Sequence, residues 1–210
     1  MANIFAPFGF RQYRSGGGGA PTYVQSVRKI AANNNVPIFL GDPVMPVVGP
    51  ASGYITGGVA GATILAGIFA GCKYVSVSQK KTVWSDYWPG ADAIGDVEAY
   101  VIDDPSAQFL VQTSGAALFN PAWTPSVQGA LPIGQYAQFG IGTGNLLNGI
   151  SGAFINAVGT TVTFPFIILD YPTFPPGANG TDPSTQFPNV VVGFNNEMFR
   201  TNGAGPLGIA

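Results

Sequence analysis

Asp86, Asp92, Asp96, Glu98, Asp103 and Asp104 form the densest group of ionisable side chains in this sequence. Paired carboxylates can hydrolyse glycosides, and clustered ones can hold calcium. The run Asp92-Ala93-Ile94-Gly95-Asp96-Val97-Glu98 lacks the ligand spacing of an EF-hand loop. Asp104-Pro105 is a turn starter. We read these acids as solvated or turn-forming. A bound cation is one alternative, and a carboxylate glycan hydrolase using Asp96 or Glu98 with Asp103 or Asp104 is another. Ser26-Val27-Arg28-Lys29 and Ser78-Gln79-Lys80-Lys81 fit Ser-x-x-Lys, but the partner motifs of serine-acylating enzymes are missing. Ser76 and Ser78 share one face of an alternating run, an ordinary place for exposed serines. Gly140-Ile141-Gly142-Thr143-Gly144-Asn145 lacks dinucleotide-fingerprint spacing, and no Gly-Lys-Ser/Thr occurs. Cys72, the single cysteine, reads as a buried thiol beside a strand. Trp84, Tyr87 and Trp88 could line a sugar groove, although packing onto the core or a neighbour is the favoured reading. Asn179-Gly180-Thr181 reads as a turn. No catalytic, cofactor-binding or metal-ligating residue is expected.

Composition points the same way. The chain has 210 residues, no histidine and only 9% charged residues. Histidine is the only side chain whose unperturbed pKa lies near neutrality, so acid–base catalysis would fall to shifted groups. One cysteine permits neither an intramolecular disulfide framework nor a Cys-rich zinc site. The net charge of −2 gives no case for a direct nucleic-acid partner. Pro43 to Cys72 is uncharged, but it is glycine-rich and its apolar part is shorter than a spanning helix needs. No membrane association is expected, and Met1 to Phe5 do not open like a secretory signal. Arg11, Arg14, Arg28 and Lys29 all precede the first acid, Asp42, so a basic start meets an acidic remainder. Pro105 to Leu169 contains no Lys, Arg, Asp or Glu. A monomer keeps charges on its surface for solubility, so this stretch reads as surface covered in an assembly. Aromatic residues such as Phe119, Trp123, Tyr136 and Phe139 would anchor it.

The elements that must position these residues are strands. Residues 1–35 read as an extended N-terminal arm, with Gly16–Gly19 as a flexible hinge and Asn33–Asn35 as a turn. Residues 36–210 read as a β-rich body with a Pro/Gly-rich insertion near 171–188. Strands are expected at Val36–Leu40, Tyr74–Ser78 and Val97–Ile102, and at Phe109–Gln112 paired with the last of these. Others are expected at Thr160–Phe164, Phe166–Leu169 and Asn189–Phe194. No segment has helical periodicity with caps at both ends. Short strands among 30 glycines and 18 prolines indicate a sandwich or barrel.

Several blocks occur in a telling order. Gly9-Phe10-Arg11 opens the chain, and Ile38-Phe39-Leu40-Gly41-Asp42-Pro43-Val44 and Ile64-Leu65-Ala66-Gly67-Ile68-Phe69 follow. Ala99-Tyr100-Val101-Ile102-Asp103-Asp104-Pro105 precedes Phe109-Leu110-Val111-Gln112. Ile133-Gly134-Gln135-Tyr136, Gly142-Thr143-Gly144-Asn145, Gly149-Ile150-Ser151-Gly152 and Asn195-Asn196-Glu197 complete the series. In this order the chain resembles a family of tailed-phage virion proteins described as head decoration or cement proteins. The glycine hinge and the segment Tyr171 to Pro188 depart from that pattern. The resemblance implies an all-β, sandwich or jelly-roll-like body that binds as a dimer or trimer on the outer capsid surface of the virion. Assembly would take place in the host cytoplasm. Its partners would be the major capsid protein and itself, and its work would be cross-linking capsomers against internal DNA pressure. Arg11, Arg14, Tyr23, Arg28, Phe119 and Trp123 are the expected capsid or subunit contacts. A major capsid, tail or fibre subunit is the alternative, although a capsid lattice protein usually needs a long spine helix, for which there is no candidate segment.

Overall fold

A computed structural model describes residues 4–16, 19–47, 53–115, 132–172 and 186–198. These residues contain twelve strands and no helix. In chain order the strands are β1 (Arg11–Arg14), β2 (Ser26–Ile30), β3 (Pro43–Pro46), β4 (Ile55–Gly57), β5 (Gly67–Val75) and β6 (Thr82–Ser85), then β7 (Val97–Ile102), β8 (Gln108–Gln112), β9 (Tyr136–Gly140), β10 (Phe154–Gly159), β11 (Phe166–Asp170) and β12 (Asn189–Phe194). They form two antiparallel sheets that pack against each other, as the all-β reading expected.

The first sheet runs β1-β8-β12-β11-β9-β10 and the second β2-β7-β5-β3-β4, with β6 also on β5. β1 lies on β8 in one sheet and β2 on β7 in the other. This nested pairing is what winding a long antiparallel hairpin across two layers produces. The second sheet curls until its ends meet, because Lys29 in β2 bridges to Tyr54, beside β4.

Each sheet has its own apolar cluster. The first holds Phe10, Phe109, Phe139, Phe166 and Phe194, with Leu65, Ile68 and Ile102 reaching in from the second sheet's side. Phe10 stacks on Phe166 at 4.5 Å, and Phe166 stacks on Phe194 at 5.8 Å. The second cluster lies within the curl: Ile30, Ile38, Val44, Phe69, Cys72, Tyr74, Trp88 and Val101. β5 serves both. Alternation puts Ile68 in the first core and Phe69 in the second, and a bulge between Phe69 and Gly71 resets it so that Cys72 and Tyr74 join Phe69 in the second. A bulge bends a strand and changes which side chains face which layer. Gly67 begins β5 at φ +136°, where a Cβ would stand 2.5 Å from the Ile102 carbonyl oxygen. Only glycine fits that approach to β7.

Asp42 ties the layers together. Phe39 to Asp42 is a tight turn closed by the Asp42 amide on the Phe39 carbonyl, with Gly41 at φ +91°. The Asp42 carboxylate accepts from the Phe39 amide and the Ser151 hydroxyl. The Phe10 amide donates to the Gly41 carbonyl, and the Gly41 amide donates to that of Phe69.

Several expectations are corrected. The described residues between 4 and 35 pack onto the two sheets. β1 and β2 are edge strands of the two sheets, and Phe10 and Ile30 are core residues. Their polar sequences hid them, since an edge strand needs only one apolar face. Val36–Leu40 makes only isolated bridges at Ile38 and Leu40, because the turn at Phe39–Asp42 ends it. Thr160–Phe164 is a turn whose Val162 and Phe164 carbonyls accept from the Asn195 side chain at 2.9 and 2.7 Å. β8 does not pair with β7. Asp104 caps the Ser106 amide at 2.8 Å, and the chain crosses there to the other sheet. Residues 173–185 of the expected insertion lie outside the described residues.

Candidate interaction surface

The loop between β9 and β10 presents leucines in place of polar side chains. Leu147 is 98% exposed and Leu146 62%, with Ile141 exposed beside them. Two exposed asparagines cap the loop's own backbone through their side-chain oxygens. Asn145 Oδ1 accepts from the Leu147 amide at 2.8 Å, and Asn148 Oδ1 from the Ile150 amide at 3.0 Å. The Asn145 amide donates to the Ile150 carbonyl at 2.9 Å, and the Gly149 amide donates to the Asn145 carbonyl at 2.8 Å. Leu40 and Ile150 bridge, joining the loop to the Phe39–Asp42 turn. A Cβ on Gly144 would overlap the Phe39 ring, and that ring stacks on Tyr87 at 5.6 Å. The backbone is thus held while two leucines project into solvent. Sequence reasoning missed this pair. The available signal was two adjacent leucines inside an otherwise glycine- and asparagine-rich turn, Gly142 to Gly149.

A second exposed apolar area covers the outer face of the curled sheet. Trp84 of β6, 67% exposed, lies parallel to Tyr100 of β7, with ring centroids 6.2 Å apart and planes 3° apart. Lys73 of β5 stands 5.1 Å from the Trp84 ring and pairs with Glu98 at 3.1 Å. Val27 on β2 is exposed opposite Tyr100. Of the aromatic trio, Trp88 is instead fully buried, donating its Nε1–H to the Asn34 carbonyl at 3.2 Å.

The six expected contact residues are not brought together. Arg11 lies over the Phe8 ring at 4.9 Å. Arg14 lies over Tyr13 at 4.6 Å and pairs with Asp170 at 3.5 Å. Arg28 meets Asp103 at 2.6 Å, half-buried at the edge of the curl, where Ser26 also donates to Asp103. Tyr23 is exposed in the connection between β1 and β2, at φ +51°. Phe119 and Trp123 lie outside the described residues. Tyr136 sits half-buried on β9, whereas Phe139, read as an anchor, is wholly buried in the first core. Among the described residues, the uncharged stretch from Pro105 to Leu169 supplies Phe109, Val111, Ala137, Phe139, Ile155 and Ile168 to the first core, and three of its outward apolar side chains lie in the β9–β10 loop.

The acids take separate partners. Asp96 accepts from the Tyr54 hydroxyl at 2.8 Å and lies 3.7 Å from Lys29. Glu98 pairs with Lys73, Asp103 with Arg28, and Asp104 caps Ser106. Asp92 accepts from the Ser76 hydroxyl at 2.7 Å and the Ser78 amide at 2.9 Å, which hold its carboxyl below the usual range. Ser76, read as exposed, is buried. Burial holds the Asp42 carboxyl above the usual range and pushes the Cys72 thiol up to about 12. Among the described residues, no group of three or more His, Cys, Asp or Glu could hold a metal ion. No described helix is long and apolar enough to cross a membrane. No protein-family model matches the chain, and no curated protein or solved structure is similar enough to it to establish kinship.

Proposed function

We propose that this chain is a structural subunit of a tailed-phage head, a cement or decoration protein. It would bind the outer surface of the capsid, bridge major capsid subunits and stabilise the shell. The observation that carries the reading is the β9–β10 loop, where the side-chain oxygens of Asn145 and Asn148 brace the backbone and Leu146 and Leu147 face outward. Isolated exposed apolar residues are ordinary. A held loop whose polar groups cap its own backbone and whose leucines project is built for contact with another surface. The paired Trp84 and Tyr100 rings offer a second contact of the kind that anchors interfaces. The low charge of the whole chain and the ordered family-like motifs support the same reading.

The function is mechanical. Each fully buried leucine contributes about 1.5–3 kcal/mol of contact energy, and many symmetric copies multiply that contribution through avidity. The test is co-sedimentation of the purified chain with expanded phage heads that lack it. Leu147→Asp is expected to abolish binding while leaving the far-ultraviolet dichroism unchanged. Undiminished binding by the Leu146→Asp/Leu147→Asp pair would overturn this surface as the contact. Failure of the unaltered chain to bind any such head would overturn the cement reading itself.

A further inference from the structure

The N-terminal segment is held on the first sheet as a ligand is held in a groove. Gln112 binds it through both ends of its amide. Oε1 accepts from the Ala6 amide at 2.8 Å, and Nε2 donates to the Ile4 carbonyl at 2.8 Å. Phe5 packs edge-on against Phe154 at 5.3 Å and tilted against Phe187 at 5.2 Å. Phe10 inserts its ring between sheet and junction, stacked on Phe166. β1 then adds main-chain hydrogen bonds along the β8 edge, with Arg11 opposite Leu110 and Gln12 opposite Phe109. Strand addition of this kind takes its affinity from the backbone and its selectivity from side-chain pockets.

The connection that returns this segment to its own body is strained. Ser15 turns back through its amide to the Gly19 carbonyl at 3.2 Å and through its hydroxyl to the Ala20 carbonyl at 3.1 Å. Tyr23 follows at φ +51°, in the left-handed region that bulky side chains avoid. The residue is 61% exposed, so little side-chain packing offsets that conformation. The sequence supplies a run of four glycines in the same connection.

From these features we infer that residues 4–14 are exchanged between copies, each chain's β1 lying on the β8 edge of a second copy. The occupant is fixed by the groove itself, which fits Phe5, Phe10 and the backbone of Ile4 to Ala6, and every copy carries that segment. Exchange preserves every contact between segment and groove. The two arrangements differ only in the connection, where exchange would let Tyr23 leave positive φ, and in the association of two chains. That makes swapping a low-cost route to an interlocked oligomer. The inference deepens the reading above by naming a sister copy as the arm's partner, and it rests on that reading only for the use of self-association.

The test uses full-length chains in which Cys72→Ala removes the native thiol and one cysteine is added at facing positions, Arg11→Cys on one and Leu110→Cys on another of different tagged mass. The two are unfolded together, refolded, and oxidised mildly. The expected result is a covalent heterodimer on a non-reducing gel, with the double variant Arg11→Cys/Leu110→Cys giving covalent dimers or larger species. Tyr23→Gly, which removes the penalty at positive φ, should lower the exchanged fraction several-fold without unfolding the chain. A double variant that closes only within one chain, with mixed single variants left uncross-linked, overturns the inference. So does light scattering that shows the unaltered chain monomeric at every concentration. Binding to heads is measured on the same preparations. Head binding without cross-linking removes exchange alone, and cross-linking without head binding removes the cement reading alone.

Discussion

The two cores are built on different plans. The first is a stack of phenylalanines drawn from the whole length of the chain: Phe10, Phe109, Phe139, Phe166 and Phe194. Its strands come from both ends of the sequence, and its edge strand β1 is followed by a glycine run. The second core is enclosed by strands lying between Ser26 and Ile102, curled so that β2 and β4 meet. It is finished with polar ties such as Trp88 to Asn34 and Asp92 to Ser76. A core assembled from distant segments is sensitive to any one of them. A closed, local one is buffered from events elsewhere. The outward-facing features divide in the same way. β1 and the leucine loop belong to the first sheet, and the flat aromatic face belongs to the second.

The sharpest way to break this comparison is to remove a ring from the first core. Phe166 touches Phe10, Phe139 and Phe194, so Phe166→Ala should destabilise by about 3–5 kcal/mol in chemical denaturation. Phe10→Ala should cost about 3 kcal/mol, read by the same measurement. In that variant hydrogen exchange should quicken in β1 and β8 but not in β5 and β7. Equal loss of protection in β5 and β7 would show that the two cores are one cooperative unit.

A smaller contrast lies in pH. Asp42 at the junction has its folded pKa raised by burial, so its native state favours the proton. Its contribution to stability is present below the unfolded pKa and is lost as pH rises through the folded one. Asp92, beside the second core, has its folded pKa lowered by hydrogen bonds. Its contribution is present above the unfolded pKa and is lost as pH falls through the folded one. Asp42→Asn and Asp92→Asn should therefore change the acid limb of the stability profile with opposite sign, measured by urea midpoints across the acid range.

The smallest expected effect is a rate. Cys72 lies buried in the second core with its thiol pushed up to about 12, so it should resist alkylation at about pH 8 until that core opens. Phe10→Ala should leave its labelling rate unchanged if the cores are independent. Labelling accelerated in step with the loss of global stability would merge them.

The division between what the residues revealed and what they hid follows from burial. Val97–Ile102 and Asn189–Phe194 are central strands with strong β-formers, and the structure gives them the same ends. β3 is Pro-Val-Met-Pro and β1 is Arg-Gln-Tyr-Arg, and neither has a legible alternation. The strand character of β1 comes from β8, far away in the chain, and that of β3 from β4 and β5, which follow it. Thr160–Phe164 had the right composition for a strand, but the side chain of Asn195 captures its carbonyls. The buried thiol was legible from its type and its neighbours. The leucine loop was not, because a glycine-rich turn signals its backbone and says nothing about which side chains face out. Tyr23's backbone strain has no sequence signature at all.

The contiguity of the second sheet has a consequence for how the molecule is made. Everything the curl needs, from Ser26 to Ile102, has been synthesised before β8 leaves the ribosome. Domains generally condense in the order they emerge, so the curl can close while the rest of the chain is still being translated. β1 cannot. Its pairing edge arrives almost a hundred residues after it, leaving the tip of the nascent chain unclaimed for that interval, in the crowded neighbourhood of a polysome where sister chains emerge alongside.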